Sequence, residues 1–186
     1  MSRLSARLWP SQKGREMANT NELKNIIEPA LSERFWKIKS AQQVVPSSGL
    51  RRELFGMEFD GIGIHREQRA LYFCEITVSG FLGHRGKDFH IGATRKLADA
   101  FARFSIVTHL PTKDSLLQAA ERDYGERLEH VRCHLVVPKG CRFIRALGYR
   151  TRLLEMGVME LTEVELPDRE LEILNRVLKA ASAEMS

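Results

Sequence analysis

Residues 56–78 constrain the fold more than any other part of this 186-residue chain. They contain two apolar segments, residues 57–64 and 70–78, separated by the polar sequence HREQRA. Apolar segments of this length joined by a short polar loop are typical of two antiparallel strands. Each segment also carries an acid, Asp60 in the first and Glu75 in the second. This placement needs an explanation, because an ionised carboxylate is costly to bury in a sheet.

The loop length predicts how the two segments pair. If residues 65–70 form the loop and Ile64 pairs with Leu71, counting outward places Asp60 directly opposite Glu75. Directly opposed residues of antiparallel strands point to the same face, with Cβ atoms about 4.5–5.5 Å apart. Two ionised carboxylates at that separation repel, so either one binds a proton with a raised pKa or both share a cation. Divalent cations such as Mg²⁺ or Mn²⁺ prefer oxygen ligands of this kind.

Three other arrangements of the acids are open from the sequence alone. A register shift of one residue would turn Asp60 and Glu75 to opposite faces of the sheet. The dipeptide Asp60-Gly61 could itself form a tight turn. The carboxylates could also be solvated on an exposed face, or paired with arginines, of which the candidates are Arg51, Arg52 and Arg85.

The remaining pattern predicts a single domain over residues 21–186, with residues 1–20 as a flexible or upstream N-terminal tail. Helical periodicity predicts helices over residues 21–38, 89–104, 114–128, 143–157 and 167–183. Pro29 either kinks the first helix or begins a second one at its first turn. Residues 44–50 predict a turn, residues 130–138 and 158–166 predict strands, and residues 105–111 predict a further short strand. This order indicates an α/β (α+β) fold with one mixed sheet and helices on both faces.

Composition narrows the compartment and the partner. The three cysteines lack metal-type spacing, and Cys74 and Cys133 lie in apolar segments, so we expect reduced core thiols and a cytoplasmic protein. The net charge of +5 favours a polyanionic partner. No apolar run approaches the roughly 18 residues that a membrane span needs, so we expect no membrane partner. A homodimer or a larger complex is compatible with this composition.

The order of these features resembles the PD-(D/E)XK nuclease superfamily, which has the restriction-endonuclease-like αβββαβ core. The resemblance covers roughly residues 21–138: a helix, an acid in a strand, a hairpin, a second acid, and then an amphipathic helix. It implies that Asp60, Glu75 and the backbone carbonyl of Ile76 hold Mg²⁺ or Mn²⁺. It also implies hydrolysis of phosphodiester bonds, in DNA rather than RNA.

One position departs from the family pattern. Thr77 stands where the motif has a catalytic lysine, and threonine supplies no positive charge. Either the lysine has moved, with Lys96 on the following helix as first candidate and Lys87 in the preceding loop as second, or the site is inactive. The alternative function is therefore a non-catalytic nuclease-like domain that binds nucleic acid or serves as a subunit of a larger assembly. A third interpretation is an unrelated α/β interaction domain with a basic surface.

Several further residues are candidates for the same site. Some enzymes of this fold use an acid on the first helix, which points to Glu28. Glu58 and Thr77 oppose each other in the predicted register, and His90 falls near the start of the helix after the second acid. The residues predicted to contact phosphates are Arg51, Arg52, Arg66, Arg69, His84, Arg85, Lys87, Arg95 and Lys96. The GIG sequence at residues 61–63 indicates close approach to the strand by another chain or a substrate backbone.

Overall fold

The computed structural model describes residues 19–78, 91–140 and 147–184. The helices are α1 (Glu28–Lys39), which continues a π-helical turn at Leu23–Ile27, α2 (Ser48–Glu53), α3 (Ile91–Thr108), α4 (Leu110–Tyr124), α5 (Arg152–Glu155), which follows a 3₁₀ turn at Gly148–Thr151, and α6 (Asp168–Glu184). The strands are β1 (Gln42–Gln43), β2 (Gly61–His65), β3 (Ala70–Ile76), β4 (His130–Pro138) and β5 (Glu160–Val164).

The five strands form one mixed sheet in the order β1-β2-β3-β4-β5. The pairs β1–β2 and β2–β3 are antiparallel, whereas β3–β4 and β4–β5 are parallel. A parallel pair requires a crossover connection, and α3 and α4 lie in the crossover from β3 to β4. The predicted mixed α/β sheet is therefore confirmed. No helix in these residues is long and apolar enough to cross a membrane.

Helices cover both faces of the sheet, so successive residues of a strand are buried against different helices. Phe73 belongs to one core cluster together with Phe104 of α3. The next residue, Cys74, belongs to the other cluster, together with Phe35 of α1 and Leu174 of α6. Cys74 and Cys133 are both buried free thiols, as predicted. A residue's position in β3 thus determines which set of helices it contacts.

Three predicted element boundaries are wrong. Residues 105–111 are not a strand, because they end α3 and begin α4, with Val107 completely buried on the helical side of the core. The first hairpin strand begins only at Gly61, since residues 57–60 precede the sheet. Residues 44–50 include the start of α2, where the Ser47 hydroxyl caps the helix by accepting from the Leu50 N–H at 3.1 Å. Pro29 occupies the first turn of α1, one of its two predicted positions.

The glycines of the GIG sequence accommodate Trp36 of α1. A Cβ atom at Gly61 would lie 2.7 Å from the Trp36 ring and 2.8 Å from the Cys74 sulfur. A Cβ atom at Gly63 would lie 2.5 Å from the same ring. The close approach predicted for another chain or a substrate is therefore made by the protein's own indole, which seats α1 directly on β2.

We expect Gly61→Ala to lower the free energy of unfolding by about 2 kcal/mol, because the added methyl group overpacks the Trp36 contact. Urea denaturation measures this loss. In a Trp36→Leu background the cost of the same substitution should fall by at least half, since the ring that it meets is gone. An equal cost in both backgrounds would show that the glycine is required for another reason.

Candidate functional site

The hairpin has the register that was predicted from the sequence. Ile64 pairs with Leu71, and Gly61 pairs with Cys74, so the next position outward places Asp60 beside Glu75. Asp60 lies in a bend immediately before β2, and its Oδ2 accepts a hydrogen bond from the Ile76 N–H at 2.7 Å. The carboxylate thereby replaces the backbone acceptor that a longer strand would supply. This geometry excludes both the shifted register and the tight turn.

Glu75 is a buried carboxylate. Its side chain is 1% exposed and lies on the α3 face of the sheet. Burial, followed by the negative charge of Asp60, raises the pKa of Glu75 to about 7, although the charges of Arg103 and Lys96 oppose that rise. Glu75 therefore exchanges its proton near neutral pH, and the local structure must compensate its charge when it is ionised.

Lys96 of α3 lies at the acid pair. Its Nζ is 3.3 Å from Oε2 of Glu75 and 3.8 Å from Oδ2 of Asp60, and it donates a hydrogen bond to Glu75. Its side chain remains about one-third exposed, so the ammonium group is accessible from solvent. The structure thus brings to the acids the lysine that was predicted to have moved, and its catalytic role remains a prediction.

Sequence reasoning missed a second cation, Arg103. Its Nη1 is 2.6 Å from Oε1 of Glu75 and donates to the Glu58 carbonyl at 2.6 Å. Its Nη2 pairs with Asp99 at 2.7 Å, and its guanidinium lies over the Phe59 ring, 5.6 Å from the centroid. These contacts hold Arg103 in one position, so the cations beside Glu75 come from α3 rather than from Arg51 or Arg52.

A signal for Arg103 was present in the sequence. It follows Lys96 by seven residues, which is two helical turns, so both side chains lie along the same face of α3. The helix was predicted to end at residue 104, and at its end an arginine is usually solvated. Only the packing of α3 along β3 turns this arginine toward a buried carboxylate.

Asp60 and Glu75 provide oxygen ligands of the kind that a hard divalent cation takes, but in this structure Lys96 and Arg103 pair with both oxygens of Glu75. Oε1 of Glu75 accepts no well-aligned hydrogen bond from the described residues, and the Asp60 side chain is 39% exposed. The N–H and C=O groups of one strand residue face the same neighbour, so the Ile76 carbonyl faces the side of Asp60. Mg²⁺ typically takes one or two carboxylates and keeps waters or substrate phosphates as its other ligands. The described residues contain no group of three or more His, Cys, Asp or Glu side chains placed to hold a metal.

Glu28 contributes a third acid near this end of the sheet. It is half-buried at the start of α1, and burial, followed by the charge of Asp60, raises its pKa, while Lys96 opposes the rise. Its charge is therefore coupled to the acid pair. Thr77 is buried, and its N–H continues the β3–β4 ladder to the Val136 carbonyl at 2.9 Å.

The residues that were predicted to contact phosphates lie in different parts of the structure. Arg66 and Arg69 lie in the β2–β3 turn and pair with Glu126 at 2.5 Å and Glu129 at 2.6 Å. A five-residue strand separates this turn from Asp60, which is about 16 Å at 3.3 Å per residue. These two arginines therefore lie at the far end of the hairpin from the acid pair, and their contact with phosphates remains a prediction.

The other predicted phosphate contacts differ in position. Arg51 lines a groove that also contains Asp60. Arg52 and Arg95 are exposed on α2 and α3. The predictions for His84, Arg85, Lys87 and His90 lie outside the described residues.

Comparison with known proteins gives no information about the role of this site. No family model, curated protein or solved structure matches this chain. The resemblance to PD-(D/E)XK nucleases consequently rests on the residues and the geometry described above.

We expect Glu75→Gln to abolish a pH dependence of stability in metal-free buffer. Because folding raises the pKa of Glu75 from 4.5 to about 7, the folded state binds more protons than the unfolded state between these values. That contribution, about 3 kcal/mol by linkage, is complete below pH 4.5 and is lost as pH rises to 7. Urea denaturation between pH 4.5 and pH 8 should show the parent protein losing stability relative to the variant. The difference between the two proteins is the quantity to compare, because burial lowers the pKa of His134 to about 3 and so adds an opposite trend below about pH 6.5 to both. The exposed Glu163→Gln variant is the control, and an unchanged slope in Glu75→Gln would contradict the assignment.

Proposed function

We propose that this protein is a metal-dependent nuclease that hydrolyses phosphodiester bonds in DNA. The observation that carries the proposal is the convergence of Asp60, Glu75 and Lys96 at one point. Two carboxylates from adjacent strands and a lysine are the groups that the PD-(D/E)XK resemblance requires. Here the lysine comes from α3, so the site has a positive charge although residue 77, the motif position, is a threonine.

The element order supports the same proposal. The first helix is followed by three antiparallel strands, a helical crossover and a parallel fourth strand, as expected for a restriction-endonuclease-like core. The chain differs from that plan in a first strand of only two residues, an inserted α2 before β2, and two crossover helices instead of one. With these differences, Asp60 immediately before β2 still lies beside Glu75 near the end of β3.

Each of these groups has a distinct role in the proposed reaction. Asp60, Glu75 and the Ile76 carbonyl would hold the cation. A bound Mg²⁺ lowers the pKa of a coordinated water and stabilises negative charge on the phosphate. Lys96 would supply a positive charge beside the acids to stabilise the attacking water and the phosphate, and such preorganised charge lowers the barrier. Arg103 keeps the Glu75 side chain oriented by pairing with one of its oxygens.

A second candidate is a non-catalytic nuclease-like domain that binds nucleic acid. The ion pair between Arg103 and Glu75 favours it, because two protein cations already lie within 3.3 Å of the buried carboxylate. Because Lys96 and Arg103 compensate the negative charge of Glu75, the acid pair can be stable without a metal. The two candidates differ in whether a divalent ion competes successfully with Lys96 and Arg103 for the acids.

Plasmid cleavage in Mg²⁺, with EDTA as the metal-free comparison, tests the proposal. We expect Asp60→Asn and Glu75→Gln to lose both cleavage and Mn²⁺ binding measured by calorimetry. Lys96→Met should reduce cleavage by about 10²- to 10³-fold, the usual effect of removing one preorganised electrostatic group. It should leave Mn²⁺ affinity unchanged or higher, since Lys96 competes for the same oxygens. Metal affinity should also increase as pH rises through about 7, because Glu75 must release its proton to bind.

Lys139→Met is the matched control, because Lys139 is an exposed lysine paired with Glu165. Cleavage that survives in EDTA or in Asp60→Asn would disprove the proposed site. Mn²⁺ binding by the parent protein without any cleavage would favour the non-catalytic candidate. Absence of divalent binding at any pH between 6 and 9 would disprove the metal site itself.

A further inference from the structure

A groove of about 520 Å³ opens beside Asp60. Its walls are mostly apolar and come from the segment around β1 and from the loop between α2 and β2, including Val44, Met57 and Phe59. Three charged residues also line it: Arg51, Glu58 and Asp60. This volume is within the usual range for sites that bind small organic groups, roughly 300–1,000 Å³. The groove therefore has room for a single nucleotide beside the proposed catalytic acids.

An exposed aromatic residue lies next to this groove. Phe55 connects Leu54 and Gly56, both of which line the groove, and its side chain is 75% exposed. Phe55 and Gly56 both have left-handed backbone conformations, with φ of 52° and 79°. That conformation is unfavourable for a phenylalanine, and no packing of the ring offsets the cost, because the ring faces solvent. An exposed aromatic ring held in this way is suited to stacking on a flat ligand.

Arg51 provides the complementary charge. It is exposed on α2 and forms no ion pair with any described residue, in contrast to the neutralised Arg66 and Arg69. A phosphate can therefore pair with Arg51 without displacing a protein carboxylate. Glu58 and Asp60, which also line the groove, repel a phosphate, so occupancy of the whole groove should require a divalent cation at the acids.

We infer that this groove binds one unpaired nucleotide of the DNA strand next to the bond to be cut. Phe55 and the apolar wall contact the base, and Arg51 pairs with its phosphate. The inference rests on the proposed nuclease function and narrows its substrate to DNA that contains a single-stranded or opened segment. A paired base cannot use the groove, because both its faces are already stacked inside the duplex, whereas an unpaired base is free to stack on an aromatic side chain.

The test compares three oligonucleotides of equal length: a single strand, its duplex, and a duplex with one bulged 2-aminopurine. Binding is measured by fluorescence anisotropy at fixed ionic strength, with Ca²⁺ in place of Mg²⁺ to keep the DNA intact. We expect the single strand and the bulge to bind at least 5-fold more tightly than the duplex. Stacking on the protein should also quench the 2-aminopurine fluorescence in the bulged complex.

Matched variants isolate the two contacts. Phe55→Ala should weaken binding of the single strand about 5- to 30-fold and abolish the quenching, with the duplex unaffected. Tyr149→Ala is its control, because Tyr149 is 76% exposed and, unlike Phe55, has no chain neighbour that lines the groove. Arg51→Gln should weaken binding of the single strand and reduce its salt dependence, whereas Arg127→Gln, at another exposed arginine, should not.

The outcomes separate this inference from the proposed function. Equal affinity for single strand and duplex, or a Phe55→Ala variant that behaves like Tyr149→Ala, would overturn the inference even if the protein cleaves duplex DNA in Mg²⁺. Phe55-dependent binding of the single strand without any cleavage would support the groove and disprove the nuclease activity. Tighter binding of a single-stranded RNA than of the matching DNA would assign the groove to the other nucleic acid and overturn the inference.

Discussion

The burial of the Glu75 carboxylate is the constraint on which this part of the structure depends. An ionised carboxylate with 1% exposure must be paired or protonated, and Asp60 in the adjacent position makes ionisation harder. The protein meets this requirement with Lys96 and Arg103 from one face of α3. The side chains that compensate the charge therefore also determine how α3 lies against β3, so that the electrostatics and the packing of this face are coupled.

The opposite face of the sheet is determined by a steric contact rather than an electrostatic one. Trp36 occupies the space that side chains at Gly61 and Gly63 would fill, so α1 lies unusually close to β2. Gly61, the residue after Asp60, is thus packed against α1, the helix that begins at Glu28. The start of β2 is therefore held by two different interactions: ion pairs with α3 on one face of the sheet, and close packing against Trp36 on the other.

The cationic side chains of the described residues differ in whether an acid already pairs with them. Lys96 and Arg103 of α3 are engaged with the acid pair, and the arginines of the β2–β3 turn, at the far end of the hairpin, are engaged with Glu126 and Glu129. Arg51 on the rim of the groove is exposed and without such a partner among the described residues. The net charge of +5 belongs to the whole chain and does not show where a polyanion would contact the described residues. In the described part of the chain, Arg51 and Asp60 line one groove, and the exposed Phe55 is next to it in the sequence.

The sequence by itself determined the mixed sheet, and its short loop between two apolar segments predicted a register that places Asp60 beside Glu75. The structure selected that register over the alternatives that the sequence left open. The sequence also identified Lys96, since helical periodicity is a local property of the chain. Only the tertiary structure decided that Arg103 faces Glu75, that Trp36 fills the space at the glycines, and that residues 105–111 are helical. Those outcomes depend on contacts between segments far apart in the chain, and neither local propensity nor periodicity encodes which distant side chain will meet a given position.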